Sequence, residues 1–151
     1  MAPVTLRSAK PEDGERIRAL LTSNGLPTSD LASSGTQFVV ATHGGEVIGA
    51  GGLQHFHAAA LLRSVAVEST ERGLGIGSLI IRELERRAGA AGVVELVLLT
   101  ETAAPFFAHL GYGKIDRQQV PESVQASEEF RVLCPPSATC MVKSLAPRSG
   151  T

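Results

Sequence analysis

Leu61-Leu62-Arg63-Ser64-Val65-Ala66-Val67, followed by Glu68-Ser69-Thr70-Glu71 and then by Arg72-Gly73-Leu74-Gly75-Ile76-Gly77-Ser78, is the stretch whose reading decides the fold. Its first part is an apolar, β-branched run interrupted only by Arg63 and Ser64, which predicts a central strand. From Gly73 to about Ala91, Ile76, Ile80, Leu84 and Ala88 recur at helical spacing while Arg82, Glu83, Glu85, Arg86 and Arg87 fill the remaining faces, which predicts an amphipathic helix with a wet, charged side. A strand therefore runs into a helix through a glycine-rich turn. Glycine removes the Cβ that would hold a phosphate away, so successive amides from Gly73 to Gly77 can point at one anion with the helix dipole behind them. In physical terms this is a pyrophosphate cradle, although a plain tight turn would use the same glycines. It lacks the Gly-Lys-Ser/Thr of a Walker A loop, and no dinucleotide fingerprint follows the first strand, so neither ATP nor NAD is the expected ligand.

Outward from this segment the chain alternates strands and helices. Upstream, Pro3 to Arg7 alternates like a strand, and Pro11-Glu12-Asp13 opens a helix whose buried stripe is Ile17, Leu20 and Leu21 and which ends at Asn24-Gly25-Leu26-Pro27. A polar stretch, a candidate substrate lid, leads to a strand near Gln37 to Thr42, and the turn His43-Gly44-Gly45 joins it to Glu46 through Leu53 as a hairpin. Downstream, Val93 to Thr100 is a strand apolar except for Glu95, and Ala103 to Leu110 is a short helix stopped by Gly111. The tail carries a helix around Ser123 to Phe130 and a last strand near Thr139 to Leu145. The order strand, helix, strand, helix around the glycine turn implies a parallel crossover, hence an α/β fold with a mixed central sheet and helices on both faces.

The length of 151 residues allows one domain, residues 1–151, with a full-sized core. Hydrophobic residues at 43% against 19% charged give an ordinary soluble composition rather than a disordered one. Fourteen Lys plus Arg against fifteen Asp plus Glu leave a net charge of -1, so no global field favours nucleic acid. No apolar run approaches the ~18–20 residues that span a bilayer, and the start of the chain lacks an apolar signal core, so no membrane partner is expected. Two cysteines, Cys134 and Cys140, supply neither a disulfide framework nor a four-ligand zinc site, which fits a reducing cytoplasm and no metal.

Arg72-x-x-Gly75-x-Gly77 after a strand ending Val65-Ala66-Val67 resembles the coenzyme A loop of the GCN5-related N-acetyltransferases, the GNAT family. Ala104-Pro105-Phe106-Phe107-Ala108-His109-Leu110-Gly111-Tyr112 resembles the family's alanine, aromatic-pair and Gly-aromatic signature, and the element order from Val4 to Leu145 is similar throughout. More narrowly, Leu61 to Val67, Leu98-Leu99-Thr100-Glu101-Thr102-Ala103 and the tail from Val120 through Lys143 resemble GNAT proteins associated with arsenic-resistance operons, and similar segments occur in amino-acid acetyltransferases of the N-acetylglutamate synthase type.

What the resemblance implies is an acetyl-CoA-dependent N-acetyltransferase in which a small, amino-acid-like amine attacks the thioester directly in a ternary complex. Coenzyme A would be held by Val65, Ala66 and Val67 through their backbone, by Arg72, Gly73, Leu74, Gly75, Ile76, Gly77 and Ser78 in the loop, and by Phe107. The partners implied are the amine and coenzyme A, with a second copy of the chain as candidate, and the setting is arsenic or toxic amino-acid-analogue resistance. An alkylammonium has a pKa near 10.4, so a base must take its proton. Glu101 at the exit of the fifth core strand, and His55 or His57 at the end of the hairpin strand, are the candidates. Many family members place a tyrosine acid where this chain has Phe107, and its only tyrosine, Tyr112, falls at the Gly-aromatic position of a core ring. Coenzyme A then leaves as a thiolate, or water or a hydroxyl such as Thr102 protonates it; a noncatalytic acyl-CoA sensor stays open.

Arg63, with Ser64 beside it, is the candidate for the substrate's carboxylate, because a guanidinium within an apolar strand needs an anionic mate. An internal ion pair would satisfy it equally. His55 and His57 share one strand face and invite a metal, yet no third ligand stands near them, and ordinary histidines explain them as well. Cys134 and Cys140 would bind a trivalent arsenical only as thiolates; apolar burial is the alternative.

Overall fold

The computed structural model describes residues 3–31, 33–71, 73, 75–133 and 137–145. Among them, the apolar runs form strands β1 (Val4–Ser8), β2 (Gln37–His43), β3 (Glu46–Phe56), β4 (Ala59–Val67), β5 (Glu95–Thr100), β6 (Gly113–Lys114) and β7 (Thr139–Ser144). They join in one mixed sheet of order β1-β2-β3-β4-β5-β7-β6, in which only β4 and β5 are parallel and every other pair is antiparallel. The helices are α1 (Gly14–Ser23), α2 (Ile76–Ala90), α3 (Ala104–His109) and α4 (Glu122–Gln125). The α2 crossover is the expected parallel connection, since two parallel neighbours cannot be joined by a tight turn.

The period of two along each strand divides the core between the faces of the sheet. Ala60 and Leu62 of β4, with Leu96 and Leu98 of β5, pack under Ile76, Ile80, Ile81 and Leu84 of α2. On the other face, Ala50 and Ala66 meet Ile17, Leu20 and Leu21 of α1, while Ala59, Leu61 and Val97 meet Val124 and Phe130 of the tail. The arrangement is α/β with helices on both faces. No helix among the described residues is long and apolar enough to cross a membrane.

Three expectations change. Helix α2 begins at Ile76, not Gly73, because Gly73 and Gly75 hold φ of 86° and 78°, which an α-helix excludes. The tail helix predicted from Ser123 to Phe130 divides into α4 and a separate π-helical turn, Glu129–Leu133. Ser127 marks the break: its hydroxyl donates to the Val124 carbonyl at 2.7 Å and accepts the Phe130 amide at 3.3 Å, local bonds that compete with the helical ladder. Strand β6, two exposed residues long, carries no apolar pattern to announce it.

Candidate active site

Strands β4 and β5 pair only over Ala59–Leu61 against Glu95–Val97. Beyond that point β4 continues to Val67 beside β3, and β5 continues to Thr100 beside β7. No ladder joins Leu62–Val67 to Leu98–Thr100, so the two strands part and face each other across a gap edged with backbone polar groups. On the β3 side the register shifts between Ala50 and Gly52, which sets Ser64 and Val65 together opposite Gly51. Ser64 holds φ of 60°, a left-handed conformation uncommon for a residue with a Cβ. The bulge thus lies where the strands begin to part, and it re-aims the edge of Val65 and Val67.

The glycine loop stands at the open end of this gap. Gly75 is the N-cap of α2 with no side-chain cap bond, so the first amides of the helix are left to another acceptor. A Cβ placed on Gly73 or Gly75 would meet nothing within 4 Å, which makes the loop an open cradle with its backbone accessible. At Gly77 a Cβ would lie 3.6 Å from the Phe106 ring and 4.0 Å from Val67, so loop, strand edge and α3 converge there. Ile76 turns its side chain into the core and can offer only its backbone, Ser78 is half-buried, and Ala66 faces α1. Arg72 and Leu74 lie outside the described residues. This backbone suits a pyrophosphate with an extended amide-bearing arm, the chemistry of coenzyme A.

The aromatic pair divides in a way the motif does not show. Phe107 is 9% exposed and packs edge-on against Tyr112 at 5.7 Å in the core, whereas Phe106, at 39%, is the ring beside Gly77. The ring at the cradle is therefore Phe106, and Phe107 supports it from below. Neighbouring residues on a helix point about 100° apart, so one ring must face away from the core.

Glu101 and Thr102 are exposed at the exit of β5, level with the open end of the gap. His55 is elsewhere. It pairs with Ala60 at the closed end of β4, five residues and roughly 16 Å of strand from Val65. His57 leaves the strand altogether and sits in the β3–β4 turn with φ of 60°, so the two histidines do not share a strand face. Antiparallel register carries the end of β3 to the start of β4, away from the gap, and neither histidine is brought to the parted strands. No group of three or more metal-ligating side chains occurs among the described residues.

Arg63 has its carboxylates within the chain. Its side chain is fully buried, and its two terminal nitrogens donate to Asp30 at 2.6 and 2.7 Å, a bidentate pair. Its Nε lies 3.1 Å from the Glu129 carboxylate and 3.2 Å from the Ser64 hydroxyl, and Gln54 accepts a longer bond at 3.3 Å. The fork proposed for a substrate carboxylate is thus taken by Asp30, and the internal ion pair is the alternative that the fold realises. Neither Asp30, in the connection between α1 and β2, nor Glu129, in the tail turn, stands out in the sequence. Both are buried, and burial together with the Asp30 charge holds the Glu129 carboxyl up at about 7 despite the opposing pull of Arg63.

Tyr112 donates to Glu85 at 2.9 Å, and Glu85 also binds Lys143 at 3.1 Å. Burial, then the neighbouring carboxylate, pushes the phenol well above its ordinary range, so its proton stays on. Burial likewise raises the Cys140 thiol to about 11, which leaves it a protonated core residue at neutral pH; Cys134 lies outside the described residues. A cavity of about 980 Å³ opens among Ser8, Lys10, Ile17, Leu31, Phe38 and Arg87 and touches neither the cradle nor the gap. The site is defined instead by parted strands and backbone.

Comparison with known proteins supports this geometry. A family model described as an acetyltransferase (GNAT) domain matches residues 34–114. A Chlorobaculum tepidum protein described as an uncharacterized N-acetyltransferase is 32% identical over 113 residues, covering 72% of this chain and 70% of that protein. Among solved structures, N-acetylglutamate synthase from Neisseria gonorrhoeae, complexed with coenzyme A and N-acetyl-glutamate, superposes with a TM-score of 0.82 at 21% identity over 96% of this chain. The chain spans 36% of that synthase's length, so the likeness is one of fold. A Mycobacterium tuberculosis protein solved in complex with CoA and a second ligand gives a TM-score of 0.81 at 25% identity, covering 93% of this chain and 99% of that one.

Proposed function

We propose that the chain, which belongs to the GNAT family of acetyltransferases, transfers acetyl to a small, amino-acid-like amine by direct attack in a ternary complex. It is an acetyl-CoA-dependent N-acetyltransferase. The observation that carries the reading is the parting of β4 and β5 beside the left-handed glycine loop. When bound, the donor supplies a thioester carbonyl carbon activated for attack. The chain supplies the rest: amides of the loop from Gly73 to Gly77 hold the pyrophosphate, the free edge at Val65 and Val67 pairs with the pantetheine arm, and an amide of that edge holds the thioester oxygen. Phe107 brings no hydroxyl, so coenzyme A departs as a thiolate, which a thiol of pKa about 8.5 permits near neutral pH.

The acceptor class rests on the resemblance of the Leu61–Val67, Leu98–Ala103 and tail segments to amino-acid acetyltransferases. The same reading keeps the enzyme in the cytoplasm, with a second copy of the chain as its candidate macromolecular partner. Release of free thiol is measured across amino acids, polyamines and glutamate-like arsenic or phosphorus compounds. Turnover confined to amino-acid-like amines supports the reading; turnover with polyamines alone overturns the acceptor class; coenzyme A binding without any turnover makes the chain a sensor.

Two substitutions test the parts. Gly75→Val places a β-branched residue at φ of 78°, a conformation it resists. The loop must then rearrange, and calorimetry is expected to find acetyl-CoA binding weaker by at least tenfold; unchanged affinity with an intact fold would remove the cradle. Tyr112→Phe leaves Glu85 bonded to Lys143 and removes a hydroxyl that is already committed to Glu85 of α2, so most turnover is retained while stability falls by about 1 kcal/mol. A rate loss beyond roughly a hundredfold, within the range of general acid catalysis, makes Tyr112 the acid.

A further inference from the structure

We propose that Glu129 is the base that takes the proton from the acceptor amine, an inference that rests on the N-acetyltransferase reading above. Its carboxylate is ion-paired with Arg63, 3.1 Å from the Nε that donates to the Ser64 hydroxyl at 3.2 Å, and so lies beside the bulge where β4 and β5 begin to part. Arg63 follows Leu61 by two residues, on the face covered by α1, α4 and the tail turn, opposite α2 and the glycine loop. In the reading above, the donor's arm enters along Val67 and Val65 from the loop side. A base for the incoming amine then belongs on the opposite face of β4, the face that carries Arg63 with Glu129 against it.

Charge makes the same point. One guanidinium carries two buried carboxylates, and the bidentate pair with Asp30 already satisfies it. Among the described residues, the charged groups facing Glu129 are Arg63 from β4 and Asp30 from the α1–β2 connection. With both acids ionised the cluster holds one excess negative charge in a nearly dry setting, so it has room for one proton, and Glu129 titrates at about 7, where a general base is most effective. Glu101, in contrast, is exposed to solvent, and His55 lies at the closed end.

The step balances as follows. The ammonium group passes one proton to the Glu129 carboxylate, the freed nitrogen lone pair forms the N–C bond to the thioester carbon, and the C–S bond breaks with its electron pair on sulfur. The proton still in excess on nitrogen goes to solvent, the thiolate is protonated from solvent, and Glu129 releases its proton before the next turnover.

The test is the pH dependence of kcat/KM for wild type, Glu129→Gln and Glu129→Asp, with coenzyme A affinity and thermal melts beside it. Wild type is expected to show a limb near pH 7 in addition to the amine's own ionisation. Glu129→Gln should lose that limb and at least a hundredfold in kcat/KM while keeping coenzyme A affinity and melting temperature, because the amide has the shape of the carboxylate and the excess charge is gone. Glu129→Asp should recover part of the rate together with the limb. A Gln variant within threefold of wild type, one that keeps the limb, or one whose loss comes with a lowered melting temperature or weaker coenzyme A binding overturns the role of Glu129 alone. A wild-type protein that binds coenzyme A but acetylates no amine overturns the enzymatic reading and Glu129's role with it.

Discussion

Replacing Arg63 by Met should lower the unfolding free energy by about 3–5 kcal/mol at pH 8, the range for breaking a buried ion pair from one side. The reason is what remains. Asp30 and Glu129 are 2% and 4% exposed, and without the guanidinium they are two like charges facing each other out of water. The loss depends on pH with a definite sign. Burial raises the Glu129 carboxyl above its unfolded value, and the variant lacks the Arg63 charge that pulls it back, so the penalty is complete above the folded value, shrinks as pH falls through it, and vanishes below the unfolded value near 4.5. Urea denaturation should therefore find the variant much closer to wild type at pH 4.5 than at pH 8. Wild type has a weaker version of the same dependence, because Glu129 is held at about 7 against an ordinary 4.5: its contribution becomes unfavourable as pH rises from 4.5 through 7. Adding Asp30→Asn and Glu129→Gln to Arg63→Met should restore most of the lost stability at pH 8. A deficit below 1 kcal/mol, or one equal at both pH values, would mean that the cluster is wetter than its burial indicates.

The same cluster shows where reading a sequence stops. Arg63 is visible as a misfit, since a guanidinium in Leu61 to Val67 demands an anion. Its partners are not visible: Asp30 follows Thr28-Ser29 and Glu129 follows Ser127-Glu128, polar surroundings in which an acid looks solvated. Only the folded sheet brings a loop, a strand and a tail turn to one nitrogen fork. The strands and helices themselves were legible because their apolar residues repeat at two and at three to four, and the glycine turn was legible because few other residues fit there. The histidines show the opposite case. Spacing put His55 at the end of a hairpin strand, but which end of β4 parts from β5 is a matter of register, and pairing stops at Leu61. Phe106 and Phe107 differ only by a rotation about α3, and the pattern of the motif is silent on which one the core takes.

Gly51→Val is expected to destabilise the protein by roughly 3 kcal/mol, the upper end for overpacking a filled core, and to weaken acetyl-CoA binding as well. A Cβ on Gly51 would come within 2.7 Å of Ile80 Cγ2, 2.9 Å of Leu84 Cδ1 and 3.3 Å of Val65 Cγ2, and the γ-methyls of valine would extend that clash. The Leu84 terminus can rotate away, but the Ile80 methyl is fixed by β-branching, so α2 must move off the sheet. The N-terminus of α2 carries Gly75 and the cradle, which is why a residue in β3 that makes no contact with the donor should alter its affinity. Gly89→Ala gives the control within the same helix: Gly89 is exposed, its Cβ would meet nothing within 4 Å, and the substitution should stabilise by about 0.5–1 kcal/mol through helix propensity alone. Urea midpoints and calorimetry on both variants separate the effects. If Gly51→Val unfolds at the wild-type midpoint, the helix is not seated on β3 as closely as these distances require, and the glycine at position 51 serves the strand rather than the placement of the loop.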